Sequence, residues 1–408
     1  MTSPLSSANP APSGLAQGNT LIAFILLCTL AGIGVGLCKV GTALYALELQ
    51  ASPLLLGLIA SAQTAGLLLT SLPCGVLVER FGPLRLFCGG SLVAASLFLL
   101  TPLVPHPLYL LALTLLVGLC MPCRFVSLNT LFMQQLAQIG ESRAGWFRGS
   151  QMIGLLLIGP SLAALLSEWR GAAGIWPLVA LAFALPLLLA PWVLRLYPAK
   201  RAGAEPLSFA AVGRLLALPG QDAQLRGTCL LDFFVQAAAQ FFAFFIIAIT
   251  VQDHGWSAQE AALLLTGHGA AFILALFLLG RLVSGNSYGL LLALGAAMAA
   301  LVILAYAELP PALWTGGVLL GLSLGMLQVT TLSRYARSGL RLGHGRIAGL
   351  AALVGPAGGM SGGMVGGLLG KSLGLQPLFL IFVLPFALFA LARLYEALPT
   401  LFVRRTLP

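Results

Sequence analysis

The sequence predicts an all-α membrane protein, with 12 transmembrane helices in two pseudo-symmetric six-helix bundles and both termini cytoplasmic. Three observations carry that expectation. Of the 408 residues, 59% are hydrophobic and 8% charged, with a mean hydropathy of +1.00, whereas a soluble chain has about a quarter of its residues charged. The apolar residues fall in continuous runs of about 20 residues, the length that crosses a bilayer as a helix, and not in the ~10-residue alternating segments of a membrane barrel. When these runs are threaded back and forth, the basic residues collect on one side, which sets the topology.

Residues 1–19 are rich in Ser, Ala, Pro and Asn and read as a disordered cytoplasmic tail. The first run, 20–47, follows no basic residue and has no small-residue cleavage pattern. It is too long for a signal-peptide core and reads as a retained span. Further spans at 54–78, 86–104, 107–133, 146–167 and 174–194 complete a bundle over 20–196. Residues 197–226, with Pro198, Lys200, Arg201, Pro206 and Pro219, read as a cytoplasmic linker, in which Ser208–Leu218 is a candidate surface helix. Spans at 227–251, 258–280, 288–307, 311–333, 347–370 and 376–392 form a second bundle over 227–398, and 399–408 form a cytoplasmic tail. Two spans announce their starts: Ser52-Pro53 is an N-cap followed by a first-turn proline, and Ser257-Ala-Gln-Glu260 is a capping box.

Apart from Lys39, Arg124, Arg170 and Lys371, every Lys and Arg falls on the side of the termini, whereas Glu48, Glu168, Asp253, Glu260 and Glu308 fall on the other. The positive-inside rule makes the basic side cytoplasmic. The net charge of +10 is therefore a topology signal, and no nucleic-acid partner is expected. All seven cysteines lie within or at the ends of spans. Cys120-Met-Pro-Cys123 matches C-x-x-C, but without a βαβ context or a second Cys/His pair it reads as packing, so no metal or other cofactor is expected. Gly366–Ser372 resembles a phosphate-binding loop, but Val365 stands where that pattern needs glycine and no strand precedes it. The energy source is expected to be an ion gradient.

The halves carry weak matches in the same order. Gly118-Leu-Cys-Met-Pro-Cys-Arg124 in the fourth span aligns with Gly321-Leu-Ser-Leu-Gly-Met-Leu327 in the tenth, and Gly159-Pro160 in the fifth answers Gly355-Pro356 in the eleventh. Parallel repeats of this kind place a substrate site between the halves near the midplane. The eleventh span bears two adjacent glycine stripes. One is Gly355, Gly359, Gly363 and Gly367; the other is Gly358, Gly362, Gly366 and Gly370. Such stripes let backbones approach closely, which serves tight packing, a helix that bends or slides during gating, or both.

Between the second and third spans lies Gly75-Val-Leu-Val-Glu79-Arg80-Phe-Gly82-Pro-Leu-Arg85. With twelve spans in two halves, this hairpin resembles the major facilitator superfamily, whose signature there runs G-x-x-x-[D/E]-R-x-G-x-[R/K]-[R/K]; Gly75, Glu79, Arg80, Gly82 and Arg85 match, and Leu84 replaces a base. The resemblance implies a secondary transporter in which Glu79 pairs with nearby bases and faces the start of the eleventh span, where the helix dipole favours a carboxylate. That contact would act as a conformational latch, with Arg346 as an added partner. Proton-coupled efflux members also carry R-x-x-Q-G in the fourth span and G-x-x-x-G-P-x-x-G-G in the fifth. In this chain Arg124 survives of the first, with Ser127 and Leu128 at the Gln and Gly positions. Gly159-Pro160 survives of the second, with Leu155, Ala163 and Ala164 replacing glycines.

A charge within a span costs about 2.5–3.5 kcal/mol on insertion scales, so each one is a functional candidate. Lys39 in the first span is expected to face a cavity. Arg124 in the fourth suits bidentate binding of a carboxylate or phosphate, or a bridge to Asp232. Asp232, Gln236 and Gln240 recur every four residues on the seventh span, with Phe244 continuing the stripe and Phe233 beside it, so they share one helix face. Asp232 is the proton-site candidate. His268 is either a second one or a histidine donating to a backbone carbonyl. Gln328, Gln63 and Ser361 are further cavity candidates. Asp253, His254 and Glu260 read as a turn plus the capping box, so no enzyme is expected. The resulting expectation is a monomeric, multi-pass protein of the cytoplasmic (inner) membrane. It would move a small anionic or amphiphilic organic solute by alternating access, in proton-coupled efflux of a drug or siderophore-like compound; the alternative is proton-coupled uptake of an organic anion or metabolite, and a remote one a non-transporting membrane sensor or enzyme.

Overall fold

The computed structural model describes residues 18–139, 149–195, 209–279 and 287–405. The expected N-terminal tail, the first part of the linker, and Arg143, Arg148, Lys200, Arg201 and Arg281 lie outside them. Twelve helices are long and apolar enough to span a membrane: α1 Ile22–Glu48, α2 Pro53–Val78, α3 Pro83–Leu103, α4 Pro107–Thr130, α5 Gly149–Gly174, α6 Trp176–Leu194, α7 Ala223–Asp253, α8 Ala258–Leu278, α9 Tyr288–Ala305, α10 Pro310–Leu342, α11 Arg346–Leu373 and α12 Gln376–Tyr395. A further helix, Phe209–Gln221, lies in the linker and packs on α7 and α11.

Most spans begin and end where the apolar runs do, but three differ from expectation, among them α5, which runs to Gly174 instead of 167. α7 starts at Ala223 because Asp222 caps it, its carboxylate accepting the Leu225 N–H at 2.9 Å. α10 runs nine residues past the expected end, carrying Arg334, Arg337 and Arg341 beyond the apolar run. Ser52 caps α2 and the Ser257–Glu260 capping box is formed. Trp169 and Tyr306 at one set of span ends, and Trp192, Tyr288 and Tyr395 at the other, are each at least 70% exposed. Amphipathic rings at both levels mark the two interfaces of a bilayer.

The helices pair in two matching sets. In the first half α1 packs on α5 and α6, α2 on α4, and α3 on α4 and α6; in the second, α7 packs on α11 and α12, α8 on α10, and α9 on α10 and α12. The aligned glycines do the same job in each half. A Cβ on Gly118 would strike the backbone of Gln63, and one on Gly321 the backbone of His268. Each contacted residue lies ten positions after the first residue of its helix. Left-handed Gly171 breaks α5 just before its end, and left-handed Gly374 makes the matching turn between α11 and α12, at φ 73° and 79°, a conformation that favours glycine.

The halves meet chiefly through α2 against α11 and α5 against α8, with a smaller contact of α1 on α7. The two glycine stripes of α11 face different partners. Gly358 and Gly362 abut the backbone of α7 at Phe233 and Ala237, whereas Gly363 and Gly367 abut α2 at Ser61 and Gly57. Gly359 belongs to the second stripe but is less tightly held: an added Cβ would lie 3.1 Å from Thr64 Cγ2 of α2 and 3.8 Å from Gln240 Cβ of α7, both side-chain atoms. One stripe therefore holds α11 within its own bundle and the other makes the seam between bundles. The buried apolar core is divided unevenly. A single large cluster joins both halves and reaches the acidic side, from Tyr45 and Trp176 to Phe241, Phe245 and Phe379. On the basic side each bundle keeps its own: Phe24, Leu27, Phe87 and Val193 in one, Leu218, Leu225, Tyr335 and Ile347 in the other. The protein is thus closed across the acidic side.

Candidate functional site

A narrow cleft runs along the seam under that closed side. It is lined by Lys39 and Thr42 of α1, Ile59, Ala60 and Gln63 of α2, Thr114 of α4, and Gln240, Ala243 and Phe244 of α7. Lys39 and Thr42 are three apart and Gln240 and Phe244 four apart, so each pair shares a helix face. The Lys39 ammonium donates to Gln240 Oε1 at 3.2 Å, and Gln240 Nε2 donates to the Ala60 carbonyl at 3.1 Å. Among the described residues no carboxylate lines the cleft. Lys39 is therefore a cation at the seam whose described partner is a neutral amide, in a wall that offers it no carboxylate among the described residues.

Two turns along α7 toward the basic side lies a second polar cluster. Asp232 accepts from Tyr335 Oη at 3.2 Å and from Gln236 Nε2 at 3.5 Å. Gln236 also donates to Gln328 Oε1 at 2.9 Å, and Gln328 donates to Thr331 at 3.4 Å. Asp232 is 4% exposed, and its described partners are neutral. The cluster belongs wholly to the second bundle, between α7 and α10. The structure thus brings Lys39, Gln240 and Phe244 together at the seam, and Asp232, Gln236 and Gln328 together beside it.

Other expected residues lie elsewhere. Arg124 is 2% exposed and points into the first bundle. Its Nη1 donates to the Phe183 carbonyl of α6 at 3.4 Å, its guanidinium lies 4.1 Å from the Phe183 ring centroid, and its Nη2 has no partner among the described residues. It does not meet Asp232. His268 Nδ1 lies 3.0 Å from the Gly317 carbonyl of α10, and its ring packs 4.3 Å from that of Phe242, so it clips α8 to α10. Phe233 packs on Phe234 and on Gly358, outside the cleft lining. Ser361 donates to Ala357 O within α11.

In the hairpin, the helix of α2 continues past its span to Phe81 and is ended by Gly82 at φ 83°, whose N–H donates to Val78 O, while Arg80, Arg85 and Arg346 are exposed. The Glu79 side chain is outside the described set, so the expected latch contact is too. A basic-side contact that is described joins Arg341 at the end of α10 to Asp222 at the start of α7, at 2.9 Å. Gly159 packs against Gly36 of α1, next to a π turn over Gly154–Ile158. Gly355 lies over Gln236, and Pro356 sits inside α11. One turn on, Gly359 lies against the stem of Gln240, so this stretch of the glycine stripe backs both polar clusters without lining the cleft.

Sequence reasoning missed Thr42, Thr114, Thr331 and Tyr335. Thr42 and Tyr335 had a signal, one turn from Lys39 and two turns from Gln328, but threonine and tyrosine are ordinary span residues. Also unforeseen was a partner for the C-x-x-C pair: Cys123 Sγ lies 3.5 Å from Cys74 Sγ of α2.

The pattern of the Major Facilitator Superfamily matches residues 20–227. No curated protein sequence matches the chain. Among solved structures, the nucleoside transporter NupG is similar at a TM-score of 0.72 and 13% identity, covering 92% of this chain and 98% of that one. The human organic anion transporter MFSD10 (TETRAN) is similar at 0.66 and 18%, covering 92% and 98%. A bacterial homologue of the human lysosomal transporter Spinster, in an inward-facing and occupied conformation, is similar at 0.66 and 16%, covering 95% and 98%. At these identities the likeness is one of fold.

Proposed function

The chain belongs to the Major Facilitator Superfamily, and from that premise we propose that it is a secondary active transporter of a small anionic or amphiphilic organic solute, working in the cytoplasmic membrane by proton-coupled efflux. The observation that carries the anionic reading is Lys39, an ammonium at the seam of the two bundles with an amide as its described partner. A carboxylate there would gain a charge-assisted hydrogen bond, and Phe244 in the same wall supplies a face for an apolar or aromatic part.

Proton coupling is assigned to Asp232. It is the acid buried in the second bundle beside the seam, and among its described partners Tyr335 and Gln236 are neutral donors, so its charge can change without breaking an ion pair. Lys39 and Asp232 lie in opposite bundles, which lets solute and proton act on the same seam from its two sides. Arg124 is assigned a positioning role inside the first bundle, and His268 a structural one between α8 and α10. The protein is taken to work as a monomer. Proton-coupled uptake is the second reading, favoured by Ser127, Leu128 and Ala163 at positions where efflux members carry other residues.

Proteoliposomes with an imposed pH gradient and a panel of radiolabelled organic carboxylates test the proposal. A carboxylate in the panel should move against its own gradient at the expense of the proton gradient. Lys39→Gln should weaken its binding at least tenfold, the loss of a hydrogen bond to a charged group. Asp232→Asn should bind solute normally but move it only down its gradient. Transport indifferent to the pH gradient, with Asp232→Asn silent, would remove the coupling assignment; Lys39→Gln equal to wild type would remove the anionic one.

A further inference from the structure

Gln240 is a side chain of the second bundle tied at both ends to the first. Its Oε1 accepts from Lys39 of α1 at 3.2 Å and its Nε2 donates to the Ala60 carbonyl of α2 at 3.1 Å. It is 9% exposed and sits at the seam beneath the core that closes the acidic side. A glutamine carboxamide has the planar outline of a carboxylate, but its neutral oxygen is the weaker acceptor for an ammonium, because a carboxylate adds the attraction of a full negative charge that an amide dipole lacks. The nearest acid on the same helix, Asp232, lies eight residues or about 12 Å away along the axis and is held by Tyr335 and Gln236.

We propose that Gln240 is an internal stand-in for the solute's carboxylate, holding α7 against α1 and α2 through Lys39 until an incoming carboxylate takes Lys39 from it and loosens the closed acidic side. This rests on the anionic-solute reading above and deepens it. Solute recognition and release of the closure become one exchange of hydrogen bonds at a single ammonium. The exchange also sets a selection rule. A carboxylate outcompetes the amide oxygen and drives opening, whereas a neutral carboxamide of the same shape exchanges like for like and drives nothing.

The test uses the full chain in lipid nanodiscs, with native cysteines replaced and nitroxide labels on Glu48→Cys and Asp253→Cys, at the exposed acidic-side ends of α1 and α7. The readouts are the inter-label distance distribution and the affinity for benzoate, with benzamide as the neutral control. Gln240→Met should widen the distribution without any ligand and raise benzoate affinity about threefold to tenfold. Gln240→Glu, which puts a fixed carboxylate on Lys39, should narrow it and lower benzoate affinity at least tenfold. Benzoate should widen the distribution of the otherwise unaltered chain, benzamide should not, and Lys39→Gln should abolish the response. A thermal melt of each variant confirms that it is folded, and the two Gln240 variants act in opposite directions, so a general loss of structure cannot mimic both. If both Gln240 variants leave the distribution unchanged, the stand-in is wrong, and the anionic reading survives if benzoate binding still depends on Lys39. If the Gln240 variants behave as expected but benzoate binds no better than benzamide, the strut stands while the carboxylate exchange and the anionic reading fall together.

Discussion

At the scale of single residues, burial and partners separate charges that the sequence presents alike. Lys39 and Arg124 both interrupt apolar runs, and both were legible as exceptions because lipid tolerates neither. Which way each points was not legible, since it depends on helices far away in the chain: Gln240 lies 201 positions from Lys39, and Phe183 belongs to a different span from Arg124. The structure predicts different costs. Arg124→Lys should lower thermal stability by about 1 kcal/mol through the lost stacking on Phe183, while changing solute affinity less than threefold in an equilibrium binding assay. Outside the membrane, Asp222 makes a separate prediction. The Leu225 N–H first, and then Arg341, hold its carboxyl below the usual carboxylate range. A folded-state pKa below the unfolded one adds stability above about pH 4, the ordinary Asp value, which is lost as pH falls through the folded value. Melts of the detergent-solubilised protein should show that acid-side loss, and Asp222→Asn should flatten it.

Among the elements, α11 has the most divided duty. Its sequence already showed two glycine stripes, yet periodicity cannot say that one faces α7 and the other α2, because that is set by which neighbour arrives on which side. A large side chain on the α7 stripe, as in Gly362→Leu, meets the Ala237 backbone inside a bundle and should cost about 1–3 kcal/mol in overpacking, seen as poor yield and early melting. On the α2 stripe, Gly363→Leu meets Ser61 across the seam. The two bundles can part there without unfolding, so near-normal melting with transport reduced at least tenfold is expected. Equal loss of stability in both variants would contradict the division. Spans such as α2 and α8 were legible to within a residue or two because their caps are local. α10 was not, since an amphipathic extension carrying three arginines does not look like a span.

For the molecule as a whole, the repeat was the least secure reading of the sequence and is among the clearest features of the structure. Isolated glycine pairs in Gly118/Gly321 and Gly159/Gly355 carry little information one by one; their meaning lies in helix pairings that sequence order alone does not display. The uneven core, shared on the acidic side and split on the basic side, predicts where motion must occur. On the acidic side the Gln259 side chain of α8 lies against the Glu168 carboxylate of α5, and with its amide turned so that the nitrogen faces the acid it donates at 3.2 Å, a contact between halves. A reducible bis-thiosulfonate crosslink between Glu168→Cys and Gln259→Cys, spanning the gap that two long side chains now fill, should stop transport in proteoliposomes and a reductant should restore it. Oxidising the native Cys74–Cys123 pair, which lies within one bundle, should leave transport running. Unchanged flux in the first case would mean that the acidic side does not open between α5 and α8.

The two-sided contact of α11 has a consequence for how this chain can diverge. One flank of the helix packs within its own bundle and the adjacent flank makes the seam, which leaves residues such as Met364, Leu368 and Leu369, on the exposed remainder, as positions where replacements should pass unnoticed. Lineages descending from this protein should therefore drift along α11 in a narrow strip, with other large apolar residues entering at those three sites while the glycines between them stand still.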